Sequence, residues 1–214
     1  MEELTATNDL SNKGNKQTNK TGLLLVGFTG AVAVGLSVIS APFVLPAFRK
    51  FCLPYIPATN EQVRNVLTAL KNNSQKGSRL ADLGSGDGRI VIAAARDGFK
   101  SHGIELNSFL VLYSKISARL AGVSSHATFR RQDLWKANLH SYDNVVIFGV
   151  TQMMETLGGK MEKELKDGCL VAACRFPVPD WTPTRTIGEG IDTVWLYQMP
   201  QSLTPELNKD ESVS

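Results

Sequence analysis

The sequence predicts an α/β fold: a doubly wound, mostly parallel sheet of seven strands with a terminal antiparallel hairpin, preceded by one transmembrane helix. Three observations carry this reading. The stretch Leu80-Ala81-Asp82-Leu83-Gly84-Ser85-Gly86-Asp87-Gly88-Arg89 sets a glycine-rich turn between a strand-like run and the helical run Ile90–Ala95. Such a turn lets a ligand approach the backbone closely and face the N–H groups of the first helical turn. Five strand-like runs then alternate with helical periodicities, and Gly188-Glu189-Gly190 separates two last strand-like runs. Upstream of them all, no charged residue falls between Lys20 and Arg49.

Taken in order, residues 1–20 mix acids and lysines without apolar periodicity and read as a disordered tail. They are neither Arg-rich nor poor in acids, so they carry no presequence signal. Residues 21–48 read as a membrane anchor, because Gly22 through Ala41 supply about the 20 apolar or small residues that a bilayer core requires. A core helix would show a polar face, and this one shows none. Gly27, Ala31 and Gly35 recur every four residues on one face, and Pro42 and Pro46 end the helix. Lys13, Lys16 and Lys20 before the span balance Arg49, Lys50 and Arg64 after it, so charge does not set its orientation. Residues 49–58 form a proline-broken connector.

The globular domain spans 59–198. Thr59-Asn60-Glu61-Gln62 has the form of a capping box, and Val63, Val66, Leu67 and Leu70 follow at helical spacing. Strands are expected at Arg79–Leu83, Ser101–Glu105, Ala127–Arg131, Asn144–Phe148 and Leu170–Arg175. Helices are expected at 90–97, at the spacing Phe109, Leu112, Tyr113, Ile116, Leu120, and at the spacing Met154, Leu157, Met161, Leu165. Arg185–Ile187 and Thr193–Gln198 form the hairpin, and residues 199–214 are a polar tail.

The chain has 214 residues, and 23 basic against 20 acidic side chains leave a net charge of +3, too balanced to argue for a nucleic-acid partner. Cys52, Cys169 and Cys174 lie in apolar surroundings without metal-like pairing, so no metal is expected. Cys169 and Cys174 point to opposite faces of one strand and read as structural thiols of a reducing compartment.

The glycines at 84, 86 and 88 depart from the dinucleotide fingerprint G-x-G-x-x-G, with Arg89 where its third glycine would pack. Preceded by Asp82, they make D-x-G-x-G-x-G, which resembles the first motif of the class I S-adenosylmethionine-dependent methyltransferases. That resemblance implies S-adenosylmethionine as cofactor on a Rossmann-like sheet. Asp82, Gly84, Ser85, Gly86 and Gly88 would then cradle its amino-acid end. Glu105, closing the second strand, is placed to accept the ribose hydroxyls. Asp133 and the Leu134 N–H are placed at the adenine, though Asp133 also reads as a cap for the turn that follows. Asp87 reads as a helix cap and Arg89 as a surface ion-pair partner.

Methyl transfer asks the protein mainly for alignment. If the nucleophile is a lysine, its deprotonation at neutral pH costs about 4.6 kcal/mol, which a desolvating aromatic channel lowers. Tyr55, Phe148, Gly149, Phe176 and Trp181 are the candidate channel residues, each aromatic having ordinary core packing as its plainer role; no general base is assigned. The strand-four loop F-G-V-T lacks the D/N-P-P-Y motif of adenine methyltransferases, which weakens a nucleic-acid substrate.

The anchor, P-Y-I-P-A-T, D-L-G-S-G-D-G-R-I-V-I-A-A-A, G-I-E-L-N, D-L-W-K, N-V-V-I-F-G-V and C-R-F-P-V-P-D-W-T-P together resemble a family of mitochondrial lysine N-methyltransferases acting on the ATP synthase c subunit or the adenine nucleotide translocase. The resemblance covers roughly residues 22–198. It implies a single-pass enzyme of the mitochondrial inner membrane that trimethylates a lysine of the ATP synthase c subunit. A membrane-anchored methyltransferase for a lipid or quinone-like molecule shares every cofactor residue, and a non-catalytic membrane scaffold shares the fold. A nicotinamide oxidoreductase fits the glycine spacing worst.

Overall fold

The computed structural model describes residues 20–44, 56–71 and 74–200. The expected N-terminal tail, most of the connector with Tyr55, and the tail beyond Pro200 lie outside the described residues. The chain divides into two compact units, Met1–Ala41 and Pro42–Ser214.

Helix α1 (Lys20–Val44) forms where the apolar run predicts it. Its described side chains are exposed, Leu24, Val26 and Phe28 among them by 70% or more, and added side chains at Gly27 and Gly35 would meet open space. Each hydroxyl described on it turns back onto its own backbone: Thr29 donates to Leu25, Ser37 to Ala33 and Ser40 to Ser37. The expected transmembrane span is not found, because among the described residues no helix is long and apolar enough to cross a membrane.

In the second unit, α2 (Asn60–Lys71) precedes a regular alternation: β1 (Arg79–Leu83), α3 (Arg89–Arg96), β2 (Lys100–Glu105), α4 (Ser108–Leu120), β3 (Ala127–Arg131), β4 (Asn144–Phe148), α5 (Thr151–Glu164) and β5 (Leu170–Cys174). β6 (Arg185–Ile187) and β7 (Val194–Gln198) close it. The sheet order is β3-β2-β1-β4-β5-β7-β6, parallel from β3 to β5, with β7 antiparallel to both its neighbours. The apolar strands β4 and β5 are central, as both-face burial requires. Side-chain alternation splits them between two cores. Ala81, Leu83, Val145, Ile147, Val171 and Ala173 pack with Met153, Met154, Leu157 and Met161 of α5. Leu80, Val146, Ala172 and Cys174 pack with Val66 and Leu70 of α2 and Ile90 and Ala94 of α3. Cys169 belongs to the first core and Cys174 to the second, so the two buried thiols do face apart.

The capping box is half formed. Thr59 Oγ1 accepts from the Gln62 N–H at 3.0 Å, but the Gln62 amide donates instead to the Ile191 carbonyl at 2.9 Å, tying α2 to the loop before β7. Helix α4 has the expected position and the opposite facing. Its buried side chains are Val111, Ser114 and Ala118, while Leu112, Tyr113, Ile116 and Leu120, which mark the helix in the sequence, all face outward. The small buried face is dictated by Phe129, whose ring fills the space between α4, α3 and the sheet.

Gly88 fixes that close approach. It takes φ +79°, and an added Cβ would stand 2.6 Å from the Phe129 ring and 2.9 Å from Ser114 Cβ. The close-packing glycine of this turn is thus the one at 88, one residue before the dinucleotide pattern would place it. Gly88→Ala combines a left-handed backbone with two clashes and is expected to lower stability by about 2–4 kcal/mol in chemical denaturation; a loss under about 0.5 kcal/mol would mean Phe129 yields freely.

Candidate active site

Strand order reverses between β1 and β4, since the chain leaves β1 toward β2 and leaves β4 toward β5. Ligands of open α/β sheets bind outside the carboxyl ends of the strands at that switch point. The sequence-predicted residues meet there. Gly84, Gly86 and Gly88 follow β1 with φ of +84°, +54° and +79°, a path that L side chains strain to adopt. The Gly84 and Ser85 N–H groups donate to the Ile104 carbonyl at 2.8 and 3.2 Å, which locks the turn against the end of β2.

Glu105 sits beside that turn. Its Oε2 accepts from the Gly86 N–H at 3.1 Å and its Oε1 from the Asn107 N–H at 2.7 Å, so its carboxylate joins the glycine turn to the start of α4. Asn107 caps α4 through its side chain, and Ser114 Oγ donates to the Gly86 carbonyl at 3.1 Å. Neither was singled out from sequence. The spacing Glu105-x-Asn107 ahead of a helix is the signal that could have found Asn107, whereas Ser114 becomes visible only once α4 is docked. Gln132 donates its N–H to the Glu105 carbonyl at 2.9 Å, which brings Asp133 and Leu134 alongside. Asp133 Oδ1 accepts from the Trp135 N–H at 3.2 Å and caps the single helical turn Leu134–Lys136. Asp87 accepts from the Arg89 N–H at 3.2 Å and from its guanidinium. Arg89 also donates to the Ala58 carbonyl, so it is a half-buried tie between the turn and the segment before α2 rather than a surface pair.

Asp82 carries the electrostatics. It is 1% exposed, and its Oδ1, like the buried Ser85 Oγ, has no hydrogen-bond partner among the described residues. Burial, then the neighbouring charges of Glu105 and Asp87, push its carboxyl up from 3.8 to about 8. Burial and the nearby Asp82 likewise push the Cys174 thiol up, so it is no nucleophile.

The channel candidates separate. Phe148 ends β4, and the Arg175 guanidinium lies 5.4 Å from its ring centroid. Arg175 was not predicted; its φ of +69° at the end of β5 is a conformation residues other than glycine rarely take. Gly149 is buried, with room for no Cβ because Met154 Sδ would stand 2.5 Å away. Phe176 is half-buried against the α5 core. Trp181 is not brought to the crevice: it is buried on the α5 side, donates Nε1–H to Glu162 at 2.7 Å and meets Tyr197 edge-on at 5.4 Å. Tyr55 lies outside the described residues.

An anionic crevice walled by glycine suits a nucleoside that brings positive charge rather than a pyrophosphate, and this is the demand that sets the class I S-adenosylmethionine-dependent methyltransferases apart from dinucleotide enzymes. The two unpartnered buried oxygens of Asp82 and Ser85 fit that cofactor's cationic end. Comparisons agree. The ANTKMT methyltransferase domain matches residues 82–185, and the N-terminal domain of the ATP synthase c-subunit lysine N-methyltransferases matches residues 18–49. The ATP synthase c-subunit lysine N-methyltransferase of Mus musculus is 51% identical over 89% of this chain and 75% of its own length. The adenine nucleotide translocase lysine N-methyltransferase of Mus musculus is 40% identical over 84% of this chain and 80% of its own. A solved RNA methyltransferase from Salinibacter ruber, in complex with S-adenosyl-L-homocysteine, has a TM-score of 0.64 and 30% identity, covering 72% of this chain and 100% of that one. The chain belongs to the ATP synthase c-subunit lysine N-methyltransferase family and is an S-adenosylmethionine-dependent protein-lysine methyltransferase.

Because folded Asp82 keeps a proton that the unfolded chain releases above pH 3.8, its stability contribution is full below about pH 4 and lost as pH rises to about 8. Asp82→Asn is therefore expected to raise the Tm of the cofactor-free protein at pH 8 by roughly 2–4 °C, about 1 kcal/mol. In the wild type, S-adenosylmethionine affinity should climb with pH up to about 8 with proton release on binding. Calorimetry in two buffers of different ionisation enthalpy reads this, and no buffer dependence would remove Asp82 from the cationic end.

Proposed function

We propose that this chain trimethylates a lysine of the ATP synthase c subunit at the mitochondrial inner membrane. The observation that carries the reading is the buried, unpartnered carboxylate of Asp82 beneath the glycine turn, in a chain whose relatives are named for that substrate. When bound, S-adenosylmethionine supplies a methyl group already activated on a sulfonium. Asp82 neutralises its amino-acid end, Gly84, Ser85, Gly86 and Gly88 leave room for it, Glu105 takes the ribose hydroxyls, and Asp133 with the Leu134 N–H holds the adenine. Glu105 suits the ribose because backbone N–H groups fix its rotamer while each oxygen keeps a lone pair.

For the lysine, Phe148, Gly149 and Phe176 line the approach. Arg175 adds a positive charge beside Phe148, and a like charge together with desolvation lowers the pKa of an incoming lysine. Both effects increase the neutral fraction that can attack the methyl carbon. Attachment to the membrane falls to α1 as a surface contact, through the exposed apolar side chains Leu24, Val26 and Phe28.

Incubating the protein with mitochondrial membranes and methyl-labelled cofactor tests this. Label should enter one small membrane protein, with trimethyl-lysine by mass spectrometry; label extracted with lipid would replace the reading with a lipid or quinone methyltransferase. Glu105→Ala should lower cofactor affinity by about tenfold or more, the loss of a charged hydrogen-bonding group worth ~1.5–3 kcal/mol, and should also lower Tm, since the Gly86 and Asn107 N–H groups lose their acceptor. Deleting residues 1–42 should leave cofactor affinity intact and cut methylation of the membrane-embedded substrate; equal rates on intact membranes would take α1 out of substrate delivery.

A further inference from the structure

Helix α4 has two apolar faces, and the domain buries the smaller. Val111, Ser114 and Ala118 face the sheet, while Leu112, Tyr113, Ile116 and Leu120 stand outward at 57%, 58%, 52% and 84% exposure. Their spacing of one, three and four residues makes them one stripe, about 12 Å long at ~1.5 Å per residue. A single exposed leucine needs no explanation, but a contiguous stripe of large side chains marks a contact surface.

The charge around the stripe indicates what it contacts. Lys115 and Arg119 border it on α4 itself, and Arg96 of α3 lines a groove with Tyr113 and Ser117 along its other margin. From Leu106 to Gln132 the chain carries Lys115, Arg119, Arg130 and Arg131 and not one acid. A helix with an apolar stripe edged by lysine and arginine is the pattern that lies in the headgroup region of an anionic bilayer. Asp87 lines the groove too, but it is paired with Arg89, so the border is net basic, and a second copy of the chain fits worse because a two-fold interface would set that net charge against itself.

We propose that α4 is a membrane-facing surface of the catalytic domain, seating Leu112, Tyr113, Ile116 and Leu120 at the interface of an anionic lipid bilayer. The surface uses none of the cofactor residues. Its place in the fold gives it a consequence: α4 begins directly after Glu105 and Asn107, and Ser114 is bonded to the glycine turn. A bilayer held on α4 therefore stands next to the crevice, which rests on the reading of that crevice as the methyl-transfer site.

The test uses the full chain in a Cys52→Ser background, since Cys169 and Cys174 are buried. An environment-sensitive fluorophore is placed on Ile116→Cys of α4, or as a control on Glu155→Cys of α5, across the sheet. With phosphatidylcholine vesicles containing phosphatidylserine, the Ile116 probe should shift to the blue and be quenched by lipids brominated in the acyl chain, while the Glu155 probe should do neither. Lys115→Glu with Arg119→Glu should weaken the response about fivefold per base in the vesicle concentration needed. An Ile116 probe that behaves like the Glu155 probe overturns the proposal, as does a shift that tracks protein concentration without vesicles, the mark of self-association. Calorimetric binding of S-adenosylmethionine, measured on the same variants, should be unchanged. If it is absent in all of them the cofactor reading fails, whatever the probes report.

Discussion

A carboxylate that the fold buries and does not pair is the constraint around which this domain is arranged. Asp82 could be made harmless by a backbone donor, yet the turn above it is built the other way. The Gly84 and Ser85 N–H groups are spent on the Ile104 carbonyl and the Gly86 N–H on Glu105, leaving none for Asp82. With Glu105 and Asp87 adding like charge, the site is unfavourable for any anion and for Asp82's own ionised form. Such a site becomes favourable only when a cation enters, so selectivity against dinucleotides lies in the charge of the crevice as much as in glycine spacing. A folded state that carries this cost gains in differential binding what it loses in stability.

The same turn also organises the packing outside the site. Phe129 on the edge strand β3 is buried by Gly88 on one side and by Gly103 on the other, where an added Cβ would stand 2.5 Å from its ring. Those two absent side chains let α3 and α4 draw close to the sheet, and Ser114 then reaches the Gly86 carbonyl. Cofactor geometry and helix docking therefore share atoms. A substitution that loosens Phe129 also moves the donor set around Glu105.

Strands β4 and β5 were legible because a central parallel strand, buried on both faces, reads as a short apolar run. Asn144–Phe148 agrees to the residue, and Leu170–Arg175 differs only by Arg175. The acids and glycines of the crevice were legible for a related reason: their function needs particular residue types at fixed offsets from strand ends. Arg175 was not legible, because a left-handed backbone at a non-glycine residue leaves no trace in composition. Trp181 misled, since a loop aromatic near a strand end reads alike whether it lines a channel or turns back to Glu162 and Tyr197. The tie from Arg89 to Ala58 was hidden too, because the carbonyl it binds belongs to no motif.

The facing of α4 shows a deeper limit. Periodicity locates an amphipathic helix by its strongest apolar stripe and takes that stripe as the buried one. Here Phe129 occupies so much of the space under α4 that only valine, serine and alanine fit beneath it, and the large side chains are driven to the far side. The sequence signal is therefore real and its usual meaning inverted: the stripe records a second environment, not the core. Helix α1 poses the same question in simpler form, with large apolar side chains exposed around it and its hydroxyls turned inward. Neither surface is costly if its surroundings are lipid, and both are costly in water.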